Sequence, residues 1–323
     1  MIAPHHHLHN RRVLVTGATG FIGRHLCAAL QQSGAVVLAT SRRPIEGSLT
    51  GVGLLPGDIT DAGFVAQLVA KNQPEYVFHL AAFKKRSHGM ADFRLAADTN
   101  FLATANLAMA CQASPSFRQL VALGTCEEYG PAGTPFREES REKPANSYAV
   151  TKLAATYFLQ TMHRASRFPV VILRPTLAYG PGQGVDMMLP ALIRSLLAGR
   201  RFPMTPAAQT RDYVYIDDLV QATLLASGNP SVCGQVMNVS SGEPVALRTI
   251  AEQVAALVGG EAADLLDFGV FDYRPGEAMS YWADPAAIQS KLGWRLLTGL
   301  QEGLLRTVDF YRAQPVVVDV NAS

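Results

Sequence analysis

Arg12-Val13-Leu14-Val15-Thr16-Gly17-Ala18-Thr19-Gly20-Phe21-Ile22-Gly23 decides the fold of this 323-residue chain. A short apolar run meets glycines spaced G-x-x-G-x-x-G, and a periodic stretch, Phe21–Gln32, follows until Gly34 stops it. The run reads as a buried strand, the periodic stretch as a helix, and the glycines as the turn between them. Gly17 permits a tight turn, Gly20 lets backbone approach a pyrophosphate, and Gly23 lets the helix pack closely on the sheet. The helix start then offers unpaired N–H groups and a partial positive charge to phosphate.

The same rhythm continues outward. Apolar runs at 35–40, ending at Leu55, at 75–80, Gln119–Leu123 and 169–173 alternate with helical patterns after Asp61, at 99–111 and at 146–164. Strand and helix in alternation predict an α/β fold, a doubly wound parallel Rossmann sheet covering 11–175. Continuous apolar runs suit parallel strands, which are covered on both faces. After about Pro175 the rhythm breaks, and Pro and Gly become frequent, as in Tyr179-Gly180-Pro181-Gly182. Helical patterns at 187–198, 217–227, Leu247–Val258 and Leu300–Arg312 remain. This second part, 176–315, reads as a smaller substrate-binding lobe with segments returning to the first. No internal repeat or low-complexity segment appears.

Composition narrows the function. Hydrophobic residues are 48% and charged residues 17%, enough for a sizeable core. The formal net charge of +2 is too small to imply nucleic acid or an anionic membrane as partner. Cys27, Cys111, Cys126 and Cys233 are far apart, which suggests neither disulfides nor zinc but incidental thiols in a reducing, cytoplasmic setting. No apolar run approaches the ~20 residues that span a bilayer. Residues 1–10 carry His5, His6, His7 and His9 without a long apolar stretch, so they do not read as a signal peptide. Whether these histidines are natural or a cloning remnant stays open, and no metal site is expected. Lys84-Lys85-Arg86 is either a solvated loop or the neighbour of an anionic ligand.

Two features carry chemistry. At the end of the second strand an acid would bond the ribose hydroxyls of NAD, whereas arginine accommodates the extra phosphate of NADP. The chain has Ser41-Arg42-Arg43 and no acid until Glu46, so NADP(H) is favoured and NAD(H) stays open. Asp58, in Gly57-Asp58-Ile59, is placed to receive an adenine amino group. Tyr148-Ala149-Val150-Thr151-Lys152 puts a phenol and an ammonium on one helical face. A neighbouring ammonium favours the phenolate, so such a tyrosine passes a proton to or from a substrate oxygen while hydride moves at the adjacent carbon.

With these segments the chain resembles the extended short-chain dehydrogenase/reductases, the NAD-dependent epimerase/dehydratase family. Further matches are His79-Leu80-Ala81-Ala82, Asn100-Phe101-Leu102-Ala103-Thr104-Ala105-Asn106-Leu107, Leu173-Arg174-Pro175, Arg211-Asp212-Tyr213-Val214-Tyr215-Ile216-Asp217-Asp218 and Arg274-Pro275-Gly276-Glu277. They run in family order from residue 12 to about 312. The resemblance implies that Thr125 bonds the reacting oxygen of a sugar and that Lys152 also holds the nicotinamide ribose. It places Thr19, Phe21, Ile22, Ile59, Leu80, Ala81, Ala82, Asn100 and Pro175 along the cofactor. Lys84, Arg211 and Arg274 fall on the side of a nucleotide-diphosphate sugar, whose phosphates the two arginines hold. Relatives pair the alanine-rich helices of 100–111 and 146–164 into a four-helix bundle, so a homodimer is expected.

Family members are 4-epimerases, 4,6-dehydratases, ketoreductases and decarboxylases of nucleotide sugars. In the dehydratases an acid or small polar residue and then Glu follow the Thr. Here Cys126 and Glu127 stand there, with Glu127 placed as a base and Cys126 a departure. The arginines after the second strand then favour a reductase of a nucleotide-linked 4-keto-6-deoxyhexose. A 4-epimerase or 4,6-dehydratase that recycles its cofactor is the alternative. A non-catalytic NADP-binding protein would not need Thr125, Tyr148 and Lys152 together.

Overall fold

Each apolar run of the first half becomes a parallel strand, because its side chains alternate between two buried layers. The structure, a computed structural model, describes residues 5–42, 51–86, 89–274 and 276–314. The strands are β1 (Arg12–Thr16), β2 (Val36–Ser41), β3 (Gly53–Pro56), β4 (Tyr76–His79), β5 (Gln119–Leu123) and β6 (Val170–Pro175). A seventh, Val236–Val239, comes from the second half and pairs in parallel with β6. The spatial order is Val236–Val239, β6, β5, β4, β1, β2, β3.

The helices α1 (Phe21–Gln32), α2 (Ala62–Asn72), α3 (Met90–Ala96), α4 (Ala103–Gln112) and α5 (Ser147–Ser166) connect the first six strands. Val13, Val15, Phe78, Val121 and Leu173 face one layer, where they meet Leu26 and Leu30 of α1. Leu14, Val77, Leu120 and Ile172 face the other, against Val65, Leu107 and Leu159 of α2, α4 and α5. That period of two, buried on both sides, is why these strands read as unbroken apolar runs.

Helix starts follow their caps. Asp61 accepts the N–H groups of Gly63 and Phe64 at 2.8 and 3.1 Å, and Asn146 accepts that of Ala149 at 2.9 Å. The helix expected at 99–111 begins earlier, at Met90, and passes through a π-helical segment, Ala97–Leu102, before α4. Its N-cap is Gly89, which has no capping side chain, so the sequence carried no start signal there.

The second half builds α6 (Met188–Leu197), α7 (Ile216–Ala226), α8 (Leu247–Val258), α9 (Ala286–Leu292) and α10 (Leu300–Arg312). The seven-residue α9 is too short for a clear period and was not expected. Short strand pairs join Leu177–Tyr179 to Tyr213–Tyr215 and Phe202–Met204 to Leu266–Phe268. Thr210–Arg211 lies between Val245–Ala246 and Ser280–Tyr281. Leu219 and Leu224 of α7 enter the core layer of α1, and Trp294, fully buried, donates to the Asp218 carbonyl at 3.0 Å.

The amino-terminal histidines pack rather than dangle. Leu8 is fully buried, His7 lies 3.0 Å from the Ser227 hydroxyl, and the backbone of His5 donates to Ser33.

His79 is buried between the hydroxyls of Thr16 and Thr104, at 2.7 and 2.8 Å. Burial first, and the charge of Lys152 second, push its pKa down to about 3. Between an unfolded value of ~6.5 and about 3 the unfolded chain binds this proton and the folded chain does not, so the contribution of His79 is lost as pH falls. His79→Gln, which carries no such proton, should therefore be less stable than wild type at pH 7.5. The gap should narrow by pH 5.5 in urea unfolding, and a constant gap would contradict this account.

Candidate active site

The turn after β1 is built on contact between backbones. Gly17 has φ +71°, and a Cβ there would stand 2.6 Å from the Ala81 nitrogen. Gly23 presses α1 onto the turn itself: a Cβ there would lie 2.2 Å from the Gly17 carbonyl oxygen. The close contact expected against the sheet is thus made with residues 17 and 18. The Thr16 hydroxyl takes the Leu80 and Ala81 N–H groups at 3.3 Å each, which ties the turn to the end of β4. Gly20 stays exposed at the N-cap of α1, while Thr19, Phe21 and Ile22 are half-buried around it. This leaves the start of α1 open to an anion, as a dinucleotide pyrophosphate requires.

Other residues expected along the cofactor divide. Half-buried Ser41 and exposed Arg42 stand at the end of β2, and Arg43 lies outside the described residues. Asp58 and Ile59 sit beside them, since Gly57 donates to the Ser41 carbonyl at 3.0 Å. One Asp58 oxygen is taken by the Thr60 N–H and hydroxyl, both at 3.0 Å. Half-buried Leu80, Ala81 and Ala82 follow β4, and buried Pro175 ends β6. Asn100 stands behind this row of residues. It is fully buried and binds the Phe83 N–H and carbonyl and the Thr151 hydroxyl, so it braces the site from behind.

Thr125, Tyr148 and Lys152 come together at the ends of β5 and α5. Lys152 is 4% exposed and donates to the Leu123 carbonyl. Burial lowers its pKa to about 8, and Glu128 opposes that fall. Burial and the carboxylate of Glu127 raise the Tyr148 phenol above its usual value, while Arg86 and a hydrogen bond with Thr125 pull it down. Tyr281, which the sequence reading missed, also lies close to the Thr125 hydroxyl. It comes from the far end of the chain, and an aromatic residue there carries no sequence signal.

The turn Cys126–Tyr129 sorts its residues inward and outward. Glu127 is held by two nitrogens of Arg86, with Nε 2.9 Å from both carboxylate oxygens. Glu128 is fully buried and accepts from the Thr125 N–H at 3.0 Å, the Thr156 hydroxyl at 3.0 Å and Arg174 at 2.7 Å. Thr125-x-x-Glu128 is a capping box, a signature present in the sequence that the reading passed over. Cys126 is fully buried and donates to the Arg174 carbonyl at 3.1 Å, and burial pushes its thiol well above the ordinary value. It faces the core, as an incidental thiol does.

On the substrate side, Lys84 is exposed, and Arg86 of the same triplet binds Glu127. Arg211 is paired with Glu277 and donates to the Ala278 carbonyl at 2.7 Å. Exposed Arg274 opens the turn that carries Glu277, whose N–H bonds the Arg274 carbonyl at 3.0 Å, so both arginines border one region. Among the described residues no three His, Cys, Asp or Glu are grouped to hold a metal, and no helix is long and apolar enough to cross a membrane.

A glycine turn after β1 and a Thr–Tyr–Lys set after β5 define a short-chain dehydrogenase/reductase. More narrowly, the chain belongs to the NAD-dependent epimerase/dehydratase family, whose model matches residues 13–240. It is 31% identical to the UDP-glucose 4-epimerase of Mycolicibacterium smegmatis, over 93% of this chain and 98% of that one. It is 28% identical to the dTDP-D-glucose 4,6-dehydratase of Bos taurus, over 94% and 89%. Among solved structures, MoeE5 in complex with UDP-glucose and NAD superposes with a TM-score of 0.84 at 32% identity, over 93% and 98%.

Gly17→Ala should cost about 1–3 kcal/mol through its left-handed φ and the clash with Ala81. Denaturant unfolding measures this, and nucleotide affinity should fall at least about tenfold with it. A variant with wild-type stability and affinity would show that the turn has room.

Proposed function

We propose that this protein is a nucleotide-sugar 4-epimerase that retains a nicotinamide dinucleotide between turnovers. The observation that carries the reading is the burial of Cys126. Hydride transfer at C4 needs Thr125, Tyr148 and Lys152, and all three converge. Elimination of water would need a further acid beside Glu127, and the side chain at that position is a high-pKa thiol turned into the core. A relative at 31% identity is a UDP-glucose 4-epimerase, and one structural relative is described with UDP-glucose and NAD.

The bound dinucleotide supplies the hydride acceptor and donor. Its pyrophosphate is held at Gly17, Gly20 and the start of α1, and its ribose by Lys152. Tyr148 takes the proton of the sugar hydroxyl and returns it, with Thr125 fixing the oxygen. Tyr148 must be the phenolate before it takes the proton and is a neutral phenol while it holds it, and a neighbouring ammonium such as Lys152 favours the phenolate. Arg211 and Arg274 hold the substrate diphosphate, Arg211 exchanging Glu277 for phosphate. A sugar gripped by its diphosphate and by one oxygen is free to present its other face.

A second reading rests on Arg42, exposed beside Ser41 where NADP carries its extra phosphate. It makes the protein an NADP(H)-dependent reductase of a nucleotide-linked 4-keto-6-deoxyhexose. One assay separates the readings: the purified protein is mixed with UDP-glucose or dTDP-glucose without added cofactor, and products are followed by NMR. An accumulating 4-epimer supports the first reading, and a 4-keto-6-deoxy product replaces it with dehydration. No change, with NADPH consumed on an added 4-keto-6-deoxyhexose, replaces it with reduction. Tyr148→Phe should lower kcat by about 10²–10⁴ while leaving nucleotide affinity within a few-fold.

We also propose a homodimer through α4 and α5. Leu95, Leu102 and Met109 are exposed at intervals of seven residues, and Val150 and Tyr157 repeat that interval on α5. Seven residues are close to two α-helical turns, so Leu102 and Met109 at the start and body of α4 share one side, as do Val150 and Tyr157 on α5, which a helical bundle requires. Sedimentation should give twice the chain mass of 34.7 kDa, and Leu102→Asp with Met109→Lys should give a folded monomer. A wild-type monomer at micromolar concentration would rule the bundle out.

A further inference from the structure

Arg86 lies outside the roles assigned so far. Its guanidinium grips Glu127 with Nε 2.9 Å from both oxygens and Nη2 2.5 Å from Oε1, and stands 5.7 Å from the centre of the Tyr148 ring. Asn146 adds a bond to the Glu127 Oε2 at 3.3 Å. Both oxygens of Glu127 are therefore engaged, and the side chain is 17% exposed. Thr125, two residues earlier, lies close to Tyr148, so this carboxylate stands next to the pair that holds the reacting oxygen in the proposed reaction.

That position is hazardous for a reaction that passes through a ketone. When C4 is a carbonyl, the C–H bonds of the two flanking carbons become acidic. A carboxylate free to move within reach takes such a proton. The C–H pair then becomes the C=C bond of an enolate, and the carbonyl π pair moves onto the C4 oxygen, beside Tyr148 and Thr125. Reprotonation restores the ketone with a solvent hydrogen in place of the original, with no net redox change. Loss of configuration at the flanking carbon is the damage.

The geometry points to Arg86 as a positioning residue that prevents this, by clamping Glu127 so that its lone pairs never reach a carbon beside the C4 carbonyl. A bidentate guanidinium suits the task, because its two parallel bonds fix the orientation of the carboxylate as well as its place. The inference rests on the proposed reaction through a 4-ketone.

The test supplies the ketone directly. Wild type, Arg86→Ala, Arg86→Gln and the double variant Arg86→Ala/Glu127→Gln are each incubated in D2O with UDP-4-keto-6-deoxyglucose. Proton NMR then follows the loss of signal at C3 and C5, and saturation transfer verifies that each protein binds the sugar. Wild type should exchange at the buffer rate, both single variants at least about tenfold faster, and the double variant at the buffer rate again. Three results would each overturn the clamp: wild type exchanging as fast as the single variants, single variants that bind the ketone and stay at background, or rapid exchange persisting without Glu127. The pattern expected here, in a protein that epimerises no nucleotide sugar, would keep the clamp and remove only the 4-epimerase reading.

Discussion

The Glu128 carboxylate, shut away from water, is the constraint around which the site is organised. Its partners are the Thr125 N–H at the end of β5, the Thr156 hydroxyl on α5 and Arg174 in β6. An unpaired charge in such a place would be intolerable, and removing one member of a buried pair costs about 3–5 kcal/mol. Meeting at one distance, the three elements avoid that cost. That meeting brings Thr125 beside Tyr148 and Lys152, which sit on the same helix as Thr156. Arg174 reaches further, to Glu142 at 2.9 Å and over the Tyr129 ring at 4.6 Å, so the loop after β5 is drawn into the same arrangement.

A second network, on the far side of Lys152, is kept neutral. His79 lies between Thr16 and Thr104, Thr104 donates to the Asn100 carbonyl at 2.7 Å, and Asn100 reaches Thr151 on α5. Lys152 thus has an anion on one side and an uncharged imidazole on the other. Burial lowers the pKa of this ammonium, and a protonated His79 would lower it further. The Glu128 charge acts the other way, and at a pKa of about 8 most Lys152 side chains remain charged at neutral pH. The site keeps its cation because the neutral network makes no competing positive charge.

The fold was legible because its signals are local. The glycines at 17, 20 and 23, the period of two in β1, and the caps at Asp61 and Asn146 each fix structure within a few residues. The Tyr148/Lys152 pair was legible for the same reason, one helical turn apart. What escaped is what the fold brings from afar. Val236–Val239 completes the sheet from the second half, and four residues of apolar sequence do not say which edge they will join. Tyr281 reaches Thr125 from 156 positions away in sequence. The Asn100 motif does not say that its amide will join Phe83 to Thr151 of α5. Arg86 was in view as one of three basic residues, but nothing in Lys84-Lys85-Arg86 says which of them turns to Glu127.

The turn at 125–128 shows why residue type and residue direction have to be read together. Thr125 caps this turn and Glu127 turns to Arg86, while Cys126 and Glu128 are buried in the core. An acid in place of Cys126 would look like a step toward elimination chemistry. In this direction it would instead enter a pocket where Asp212, Glu128 and Glu138 already oppose negative charge and only Arg174 favours it. Arg174 is committed to Glu128 and Glu142, so a new anion there would find no free partner. A thiol, small and held neutral, fits that environment and leaves the buried ion pair undisturbed. The electrostatics that hold Thr125 in place are thus the same electrostatics that keep a second acid out of the turn.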